Sequence, residues 1–281
     1  MPELPEVETV RCGIAPILEG QTLTNLVVRR ANLRIPFPPN MVDRLKGQDI
    51  TTVGRRAKYL LVRFANHDVL LIHLGMSGRM TIHDSATAPE PGKHDHVDFV
   101  TKGGKTLRFN DPRRFGLMDL TTEEELGAHR LLAELGPEPL GNEFNGDFLA
   151  DALVERSQPI KAALLDQTLV AGLGNIYVCE SLFRAGVSPR RKARNVGDKK
   201  ARLLASVIVE VLREAIDAGG SSLKDHRQAS GEMGYFQHNF SVYGREGEPC
   251  PGCTCDHEKS GGIQRIVQSG RSTFFCAERQ R

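Results

Sequence analysis

The N-terminus of the sequence offers a candidate nucleophile. The chain opens Met1-Pro2-Glu3, and because a methionine before a small residue is usually removed, we expect Pro2 to become a terminal secondary amine. An α-amine has a pKa of about 8, so a useful fraction is neutral and nucleophilic near pH 7. Its attack on a sugar carbon would form an iminium, an electron sink for breaking the neighbouring C–O bond, and Glu3 and Glu6 supply carboxylates within reach. Taken alone, the same segment is more typical of an ordinary acidic terminus.

A candidate metal site lies near the other end, where four of the six cysteines fall within the last 32 residues. These four are Cys250, Cys253, Cys255 and Cys276. The Cys250-Pro-Gly-Cys253 knuckle is typical of structural zinc, and Cys276 would add a third thiolate. A closed zinc site needs four ligands, but Arg279 stands where a second knuckle would place a cysteine. The fourth ligand would then be His257, which the long loop allows to fold back, or Cys255; an empty site with reduced thiols is the third alternative.

A basic segment follows a glycine-rich turn in the second half of the chain. Residues 184–204 contain eight Lys and Arg side chains and one acidic residue, a local net charge of +7. Gly172-Leu-Gly174-Asn175 precedes this segment at the start of a predicted helix, where exposed amides and the helix dipole suit a phosphate. A charge run alone is more often a solvated face, but the two features together favour nucleic acid.

Two predicted turns present apolar side chains. Arg113-Arg114-Phe115 lies at a turn between strands, and Met76 lies in the turn Gly75-Met76-Ser77-Gly78. An aromatic tip beside an arginine suits insertion into a base stack, with the guanidinium contacting the orphaned base. Taken singly, Met76 and Phe115 are more typical of core residues.

The composition excludes several classes of protein. With 281 residues, 40% hydrophobic and 26% charged, the chain is neither disordered nor of low complexity, and its length predicts two domains. The net charge of +2 is too small to indicate a partner by itself. No apolar run is long enough to span a membrane, and we expect no secretory signal. Cysteines gathered near one terminus favour a cytosolic protein over a secreted one.

The order of predicted elements indicates an α+β protein. A helix begins near Pro5, with a kink or early stop at Pro16. Residues 22–120 are rich in β formers, with turn signals at Asn66-His-Asp68 and Gly103-Gly104, which predicts a β-sandwich. After a turn-rich hinge, helical periodicity predicts helices over 148–156, 160–165, 175–185 and 199–218, and residues 220–240 are expected to form a mobile loop. The predicted boundaries are 1–135 for the β-sandwich domain, 136–146 for the hinge, 147–240 for the helical domain and 241–281 for a cysteine-rich hairpin.

The opening Met-Pro-Glu-Leu-Pro-Glu-Val-Glu-Thr9 closely resembles that of the bacterial formamidopyrimidine-DNA glycosylases, also called 8-oxoguanine DNA glycosylases. Five further segments are similar to the same family, so the match extends over the whole chain in order. They are Gly54-Arg-Arg-Ala-Lys58-Tyr-Leu-Leu, His73-Leu-Gly-Met76-Ser-Gly, Asp111-Pro-Arg-Arg-Phe115-Gly, Gly172-Leu-Gly-Asn175-Ile-Tyr and Gly270-Arg271-Ser-Thr-Phe-Phe-Cys276.

The resemblance implies catalytic roles for four residues. Pro2 would be the Schiff-base nucleophile and Glu3 the general acid/base. Lys58 would donate the proton for β-elimination, while Arg271 would serve δ-elimination and bind phosphate.

The resemblance also implies contacts with damaged duplex DNA. A base locked in a duplex must be extruded before its glycosidic bond can be reached. The residues that would fill the resulting space are Met76, Arg113 and Phe115. Those that would bind the DNA backbone are His94, Arg156, Lys161 and Asn175. The segment from Ser221 to Gln237 would fold over the flipped base.

The implied protein is a base-excision-repair DNA glycosylase for oxidised purines (8-oxoguanine and formamidopyrimidines) with AP lyase activity. Its N-terminal β-sandwich with a leading helix would precede a helix–two-turn–helix domain, which ends in a zinc-finger-like β-hairpin. One structural zinc per chain would shape the hairpin that presents Arg271. We expect a monomer in the cytoplasm, associated with the nucleoid through DNA and with no membrane contact.

Two other functions stay open. A sister glycosylase for oxidised pyrimidines would share the N-terminal nucleophile but typically has Gly where this chain has Leu4. A non-catalytic zinc-containing DNA-binding protein would need no free Pro2 amine. The metal end is where this sequence departs from the family, because the second knuckle is incomplete at Arg279 and the loop before Cys276 is longer.

Overall fold

The computed structural model describes residues 2–221, 234–254 and 256–281. These residues form two compact units. The first contains the described chain up to Ala133 together with 218–221 and 234–237, and the second contains 134–217 with the remaining C-terminal residues. The sequence pattern assigns 147–240 to one helical domain, whereas the structure groups its last part with the first unit. The reason is local: the Ser221 backbone and hydroxyl bond to the carboxylate of Glu6.

The described residues contain seven α-helices and ten strands. The helices are α1 (Leu4–Leu18), α2 (Met41–Leu45), α3 (Gly146–Leu153), α4 (Ile160–Leu165), α5 (Asn175–Arg184), α6 (Asp198–Asp217) and α7 (His257–Ser260). The strands are β1 (Leu23–Val28), β2 (Ile50–Arg56), β3 (Tyr59–Phe64), β4 (Asp68–His73), β5 (Arg79–Asp84), β6 (Asp95–Thr101), β7 (Lys105–Asn110), β8 (Leu117–Thr122), β9 (Gln264–Gln268) and β10 (Arg271–Phe275). Among these helices none combines the length and the apolar character that a membrane crossing requires.

The first unit is the predicted β-sandwich with a leading helix. Its two antiparallel sheets have the strand orders β1-β6-β7-β5 and β2-β3-β4-β8. Alternate apolar side chains of both sheets enter one core, which also takes the apolar face of α1 at Val7, Val10 and Ile14. Pro16 lies inside α1 and does not end it, since one backbone bond is lost while Ile14 and Leu18 stay buried on either side.

The second unit contains the predicted helices α3 to α6 and the cysteine-rich hairpin. The predicted bounds of α4 agree with the structure, α5 ends one residue earlier than predicted, and α6 begins and ends one residue earlier. Helix α3 begins two residues earlier and ends three residues earlier than predicted. Strands β9 and β10 form a two-stranded antiparallel ribbon. Phe183 of α5, Phe274 of β10 and the hairpin cysteines share one small apolar cluster, so the ribbon is packed against α5.

Candidate active site

The first residues of the chain are fixed by the start of α1. Glu3 precedes the helix, and its backbone N–H donates to the Glu6 carboxylate over 2.8 Å. The first amides of a helix have no partner within it, so a carboxylate in the first turn satisfies one of them and is favoured by the helix dipole. Pro2 is buried, and Glu3 and Glu6 expose only 3% and 1% of their surface. A buried polar contact therefore holds the backbone next to the candidate nucleophile.

The same carboxylate holds a second segment. Glu6 Oε1 accepts hydrogen bonds from the N–H and the hydroxyl of Ser221, each 2.8 Å long. Gly220 permits this approach, because its φ is 77° and a Cβ there would lie 3.2 Å from Glu6 Cγ. The first residue of the predicted base-covering segment, Ser221, is thus held by the same Glu6 carboxylate that holds the Glu3 N–H. Ser221 also forms a β-bridge with Tyr235, near the other end of this segment. Residues 222–233 of that segment lie outside the described residues.

Lys58 lies in the two-residue turn between β2 and β3, where Ala57 has a left-handed φ of 52°. Arg55 donates to Ala57 O over 2.9 Å and to Glu8 Oε2 over 2.8 Å, so one guanidinium joins this turn to α1. Burial acts to raise the pKa of Glu8, but hydrogen bonds and charges from Arg11 and Arg55 bring it below its ordinary value. The Arg55–Glu8 ion pair therefore connects the Lys58 turn to α1, the helix that follows Pro2 and Glu3.

His73 shapes the turn that contains Met76. Its Nδ1 accepts the Gly75 N–H over 2.9 Å. Burial, followed by the positive charges of Lys58 and Arg34, lowers the pKa of His73 to about 4. The ring is therefore neutral at pH 7 and remains an acceptor for this amide.

Met76 and Phe115 form an exposed tip on the first unit. Their side chains are 38% and 44% exposed, and the Arg113 guanidinium lies 4.8 Å from the centre of the Phe115 ring. The two turns touch backbone to backbone at Gly75, where a Cβ would lie 2.3 Å from the Phe115 carbonyl carbon. The structure thus brings the three predicted base-filling residues into two adjoining turns.

Asp111, fully buried, holds both of these turns and was not identified from the sequence. Its Oδ1 accepts the Ser77 hydroxyl over 2.5 Å, and its Oδ2 accepts the Gly116 N–H over 2.8 Å. The Ser77 oxygen in turn accepts the Arg113 N–H over 3.1 Å. His94, a predicted DNA contact, accepts the Asp111 N–H at its backbone oxygen over 3.0 Å, and its side chain is partly exposed. An aspartate just before a predicted turn was the available signal.

Lys161 and Asn175, two predicted DNA-backbone contacts, converge on β10. Lys161 Nζ donates to Ser272 O over 2.9 Å and to Thr273 Oγ1 over 2.6 Å, and Asn175 Nδ2 donates to Ser272 O over 2.8 Å. Lys161 is fully buried, so its N–H groups need protein acceptors, and these oxygens supply them. Both residues therefore hold the hairpin strand in this structure.

Arg271 lies next to this anchored carbonyl, at the tip of the ribbon. It pairs with Gln268 across the turn Ser269-Gly270, whose φ angles of 50° and 71° fit a tight hairpin turn. Its side chain is exposed. Arg271, the arginine assigned to δ-elimination, is thus the residue directly before the Ser272 carbonyl that Lys161 and Asn175 hold.

The other basic residues divide between an ion pair and an open cleft. Arg156, a predicted DNA contact, pairs with Asp166 over 2.9 Å. A cleft of about 640 Å³ is rich in cationic groups from the predicted basic segment and the C-terminus. It is lined by Ser188, Arg190, Arg191, Lys192, Asn195, Ala277, Gln280 and Arg281.

Glu180 is a further residue that the sequence analysis missed. It is fully buried on α5 and accepts the backbone N–H groups of Ser241, Val242 and Tyr243, at 2.8 to 3.0 Å. These bonds fix the segment that leads into the cysteine-rich hairpin. A lone glutamate in an otherwise apolar helix segment was the available signal, since a buried charge requires partners.

Three of the predicted metal ligands come together. The sulfurs of Cys250, Cys253 and Cys276 all lie within 4.8 Å of one another, with Cys253 and Cys276 at 3.6 Å. Two sulfurs bound to one tetrahedral zinc at about 2.3 Å lie about 3.8 Å apart, so the donor set fits zinc. The structure places His257 elsewhere, with Nε2 2.6 Å from Gly247 O. Cys255 lies outside the described residues.

Comparison with known proteins gives one consistent family. Residues 1–118 match the formamidopyrimidine-DNA glycosylase N-terminal domain, and residues 135–227 match the formamidopyrimidine-DNA glycosylase H2TH domain. The formamidopyrimidine-DNA glycosylases of Rhodospirillum rubrum and Ruegeria pomeroyi are 58% and 57% identical, each over 100% of both chains.

Solved structures agree. The MutM (Fpg) protein of Thermus thermophilus superimposes with a TM-score of 0.87 at 41% identity, covering 99% of this chain and 98% of that one. An Fpg mutant of Lactococcus lactis, in complex with a Fapy-dG containing DNA, gives a TM-score of 0.90 at 33% identity over 100% of both chains. The Lactococcus lactis Fpg bound to abasic-site DNA gives 0.88 at 34% identity, again over 100% of both.

Proposed function

Because this chain belongs to the formamidopyrimidine-DNA glycosylases, which are DNA glycosylases and AP lyases of base excision repair, we propose that it removes oxidised purines from duplex DNA through a covalent intermediate on Pro2. The observation that best supports this assignment is the start of α1. There a buried hydrogen bond from Glu3 to Glu6 fixes the backbone beside Pro2, which becomes a secondary amine once Met1 is removed.

The proposed reaction uses the first three residues of the sequence. After removal of Met1, the Pro2 lone pair attacks C1′ of the damaged nucleotide, and the glycosidic electron pair leaves with the base. Glu3 donates a proton to the ring oxygen as the sugar opens, which leaves an iminium between Pro2 and C1′. Loss of a proton from C2′ sends the C–H electron pair into this iminium and forms an enamine, which then expels the 3′ phosphate with its bonding pair and becomes an iminium again. Water finally hydrolyses this iminium and restores the amine.

Lys58 and Arg271 are proposed to act on the proton and the phosphates. The Lys58 turn is joined to α1 through Arg55, so an ammonium held there can donate a proton to the sugar or to the lesion. Arg271, on the hairpin tip, binds a phosphate and assists the second elimination, in which the 5′ phosphate leaves.

Damaged duplex DNA is the proposed partner. Met76, Arg113 and Phe115 would replace the stacking lost when the base is everted, a cost of a few kcal/mol. His94, Arg156 and Asn175 are proposed as contacts to the DNA backbone, and Asn175 also holds β10. Lys161, which is fully buried, is proposed to serve DNA binding through the position of β10. Since one chain supplies every residue in this scheme, we propose a monomer, located in the cytoplasm on the nucleoid.

A structural zinc is proposed at Cys250, Cys253 and Cys276, whose sulfur separations fit it. When bound, the metal would supply no chemistry to the reaction and would cross-link the knuckle to the end of β10. The proposed candidates for a fourth ligand are Cys255 and, once it is released from Gly247 O, His257.

Borohydride trapping tests the nucleophile. The protein is incubated with duplexes carrying 8-oxoguanine, an oxidised pyrimidine or an abasic site, reduced, digested and mapped by mass spectrometry. We expect the adduct on residue 2, with the oxidised purine processed faster than the pyrimidine. Pro2→Gly should still be trapped at residue 2, because it retains an amine, and Lys58→Ala should keep the Pro2 adduct. An adduct on Lys58 with none on Pro2 would overturn the assignment, and the intact mass reports whether Met1 is removed.

A further inference from the structure

Arg279 lies where a second Cys-x-x-Cys knuckle would place its last cysteine, three residues after Cys276. Its side chain is turned toward the first knuckle. Arg279 Nη1 donates to the backbone oxygen of Gly252, which lies between Cys250 and Cys253. A Cβ on Gly252 would lie 2.8 Å from the same Nη1, so the guanidinium is packed directly on the knuckle backbone.

The guanidinium also contacts α5. Arg279 Nε donates to Phe183 O over 3.3 Å, and the guanidinium carbon lies 4.9 Å from the centre of the Phe183 ring. Phe183 belongs to the apolar cluster that contains the three cysteines. One side chain therefore connects the knuckle, the residues after β10 and the helix on which the ribbon is packed. We name these contacts of Arg279 with Gly252 and Phe183 the Arg279 clamp.

Gln280 closes the same turn without any metal. Its Oε1 accepts the Cys276 N–H over 2.8 Å, its N–H donates to Cys276 O over 3.0 Å, and its Nε2 donates to Val187 O over 2.9 Å. Gln280 is 3% exposed. The backbone groups next to the third thiolate are thus satisfied by protein partners.

We propose that the Arg279 clamp takes over the cross-linking role of a fourth zinc ligand, so that the cysteine-rich hairpin keeps its fold when the metal is removed. A fourth thiolate would tie the residues after β10 to the first knuckle through zinc, and the clamp ties the same two segments through hydrogen bonds. Zinc with three thiolates carries a net negative charge, which the adjacent guanidinium offsets. The metal then adds stability to a hairpin already closed and does not decide whether it closes.

Hydrogen exchange on the full-length protein tests this. Amide exchange in peptides covering 262–281 is measured by mass spectrometry for zinc-loaded and chelator-treated protein. Wild type should keep its protection after chelation to within about threefold, whereas chelated Arg279→Ala should exchange at least about tenfold faster. Zinc-loaded Arg279→Ala should stay protected. Arg281→Ala, an exposed arginine after the clamp, is the matched control and should behave like wild type.

Two further variants keep the proposal falsifiable. Arg279→Cys should bind zinc at least about tenfold more tightly in a chelator competition and lose hairpin protection once stripped. If Arg279→Ala does not fold, Arg279→Lys replaces it, since lysine keeps the charge but not the planar two-sided contact, and should show intermediate exchange when stripped. Wild type that opens on chelation as far as the Arg279 variants, or stripped variants that stay protected, would overturn the clamp. Exchange is read without DNA, so a failed glycosylase assay leaves this result unaffected.

Discussion

The two units fix their functional segments with side chains of opposite hydrogen-bonding character. In the first unit, acceptors hold backbone N–H groups at the start of α1 and at the exposed turns. They are Glu6, His73 and Asp111. In the second unit, donors hold backbone carbonyls of the hairpin and the knuckle. They are Lys161, Asn175 and Arg279. The division has exceptions: in the second unit Glu180 and the Gln280 side-chain oxygen accept backbone N–H groups, and in the first unit Arg55 donates to the Ala57 carbonyl.

This difference separates the two units in their response to pH. Carboxylates and a neutral imidazole lose acceptor capacity when they are protonated, whereas the N–H donors of lysine, arginine and asparagine side chains are not lost on acidification. The nucleophile segment should therefore be acid-sensitive where the hairpin is not. Four changes test that contrast, and they are ordered by expected size.

Acid should first act through His73. Its folded pKa of about 4 lies below the ordinary 6.5, so the unfolded chain takes up the proton first and stability falls as the pH drops from 6.5 to 4. The loss through this group is up to about 3 kcal/mol. His73→Asn keeps an acceptor for the Gly75 N–H without titrating, so urea unfolding of this variant should lack that part of the pH dependence. If the unfolding free energies of the variant and wild type fall equally between pH 6.5 and pH 4, His73 is not a source of the acid sensitivity of the first unit.

Glu6→Gln should reduce strand cleavage at 8-oxoguanine by about 100-fold, equal to about 2.7 kcal/mol. The amide replaces one acceptor oxygen by a donor, which then faces the N–H of Glu3 or of Ser221. Glu124→Gln, at an exposed position of the same unit, is the control and should cleave like wild type. Melting temperature and single-turnover cleavage are measured together, and a variant that melts earlier but cleaves normally would show that Glu6 only stabilises the fold.

Lys161→Met should lower the free energy of unfolding by about 2 kcal/mol, because Ser272 O and Thr273 Oγ1 each lose a buried donor. The loss should be the same at pH 7 and pH 5, because the two acceptors that lose their donor, a carbonyl oxygen and a hydroxyl oxygen, do not titrate over this range. Lys199→Met, at an exposed position in α6, provides the control. If the loss of unfolding free energy is larger at pH 5 than at pH 7, the claim that the hairpin of the second unit is insensitive to acid is contradicted.

Ser77→Ala should have the smallest effect, about threefold on the removal of 8-oxoguanine from duplex DNA. The change removes one donor to Asp111 and the acceptor for the Arg113 N–H, but the Gly116 contact remains. Cleavage of a flexible abasic gap should be unchanged, because no stacked pair has to be opened there. If both substrates are affected alike, Ser77 supports the catalytic residues and not the exposed tip.

The sequence predicted what depends on local pattern. The leading helix, the hairpins around Asn66 and Gly103 and the bounds of α4 follow from spacing and turn residues, and three cysteines were identified as one cluster. Contacts made across long separations were not predicted. Glu6 reaches Ser221 only once the chain has returned to the first unit, a return that the predicted range 147–240 for the helical domain did not include.

The same limit applies to the hairpin. Lys161 was assigned to DNA from its type and motif, and its bond to Ser272, 111 residues later, has no signature in the local sequence. His257 was ranked as a ligand on loop length alone, and the structure places its ring against Gly247 O. A ligand set therefore needs the direction of each side chain, which spacing does not supply.

The anchoring of Ser272 makes the hairpin intolerant of insertion on one side only. An extra residue in the turn Ser269-Gly270 would lengthen the tip but leave Arg271 joined directly to the carbonyl that Lys161 and Asn175 hold. The same residue placed between Arg271 and Ser272 would turn the guanidinium to the opposite face of the ribbon, because side chains alternate along a strand. The face of the ribbon on which the Arg271 side chain lies thus depends on its direct peptide bond to Ser272.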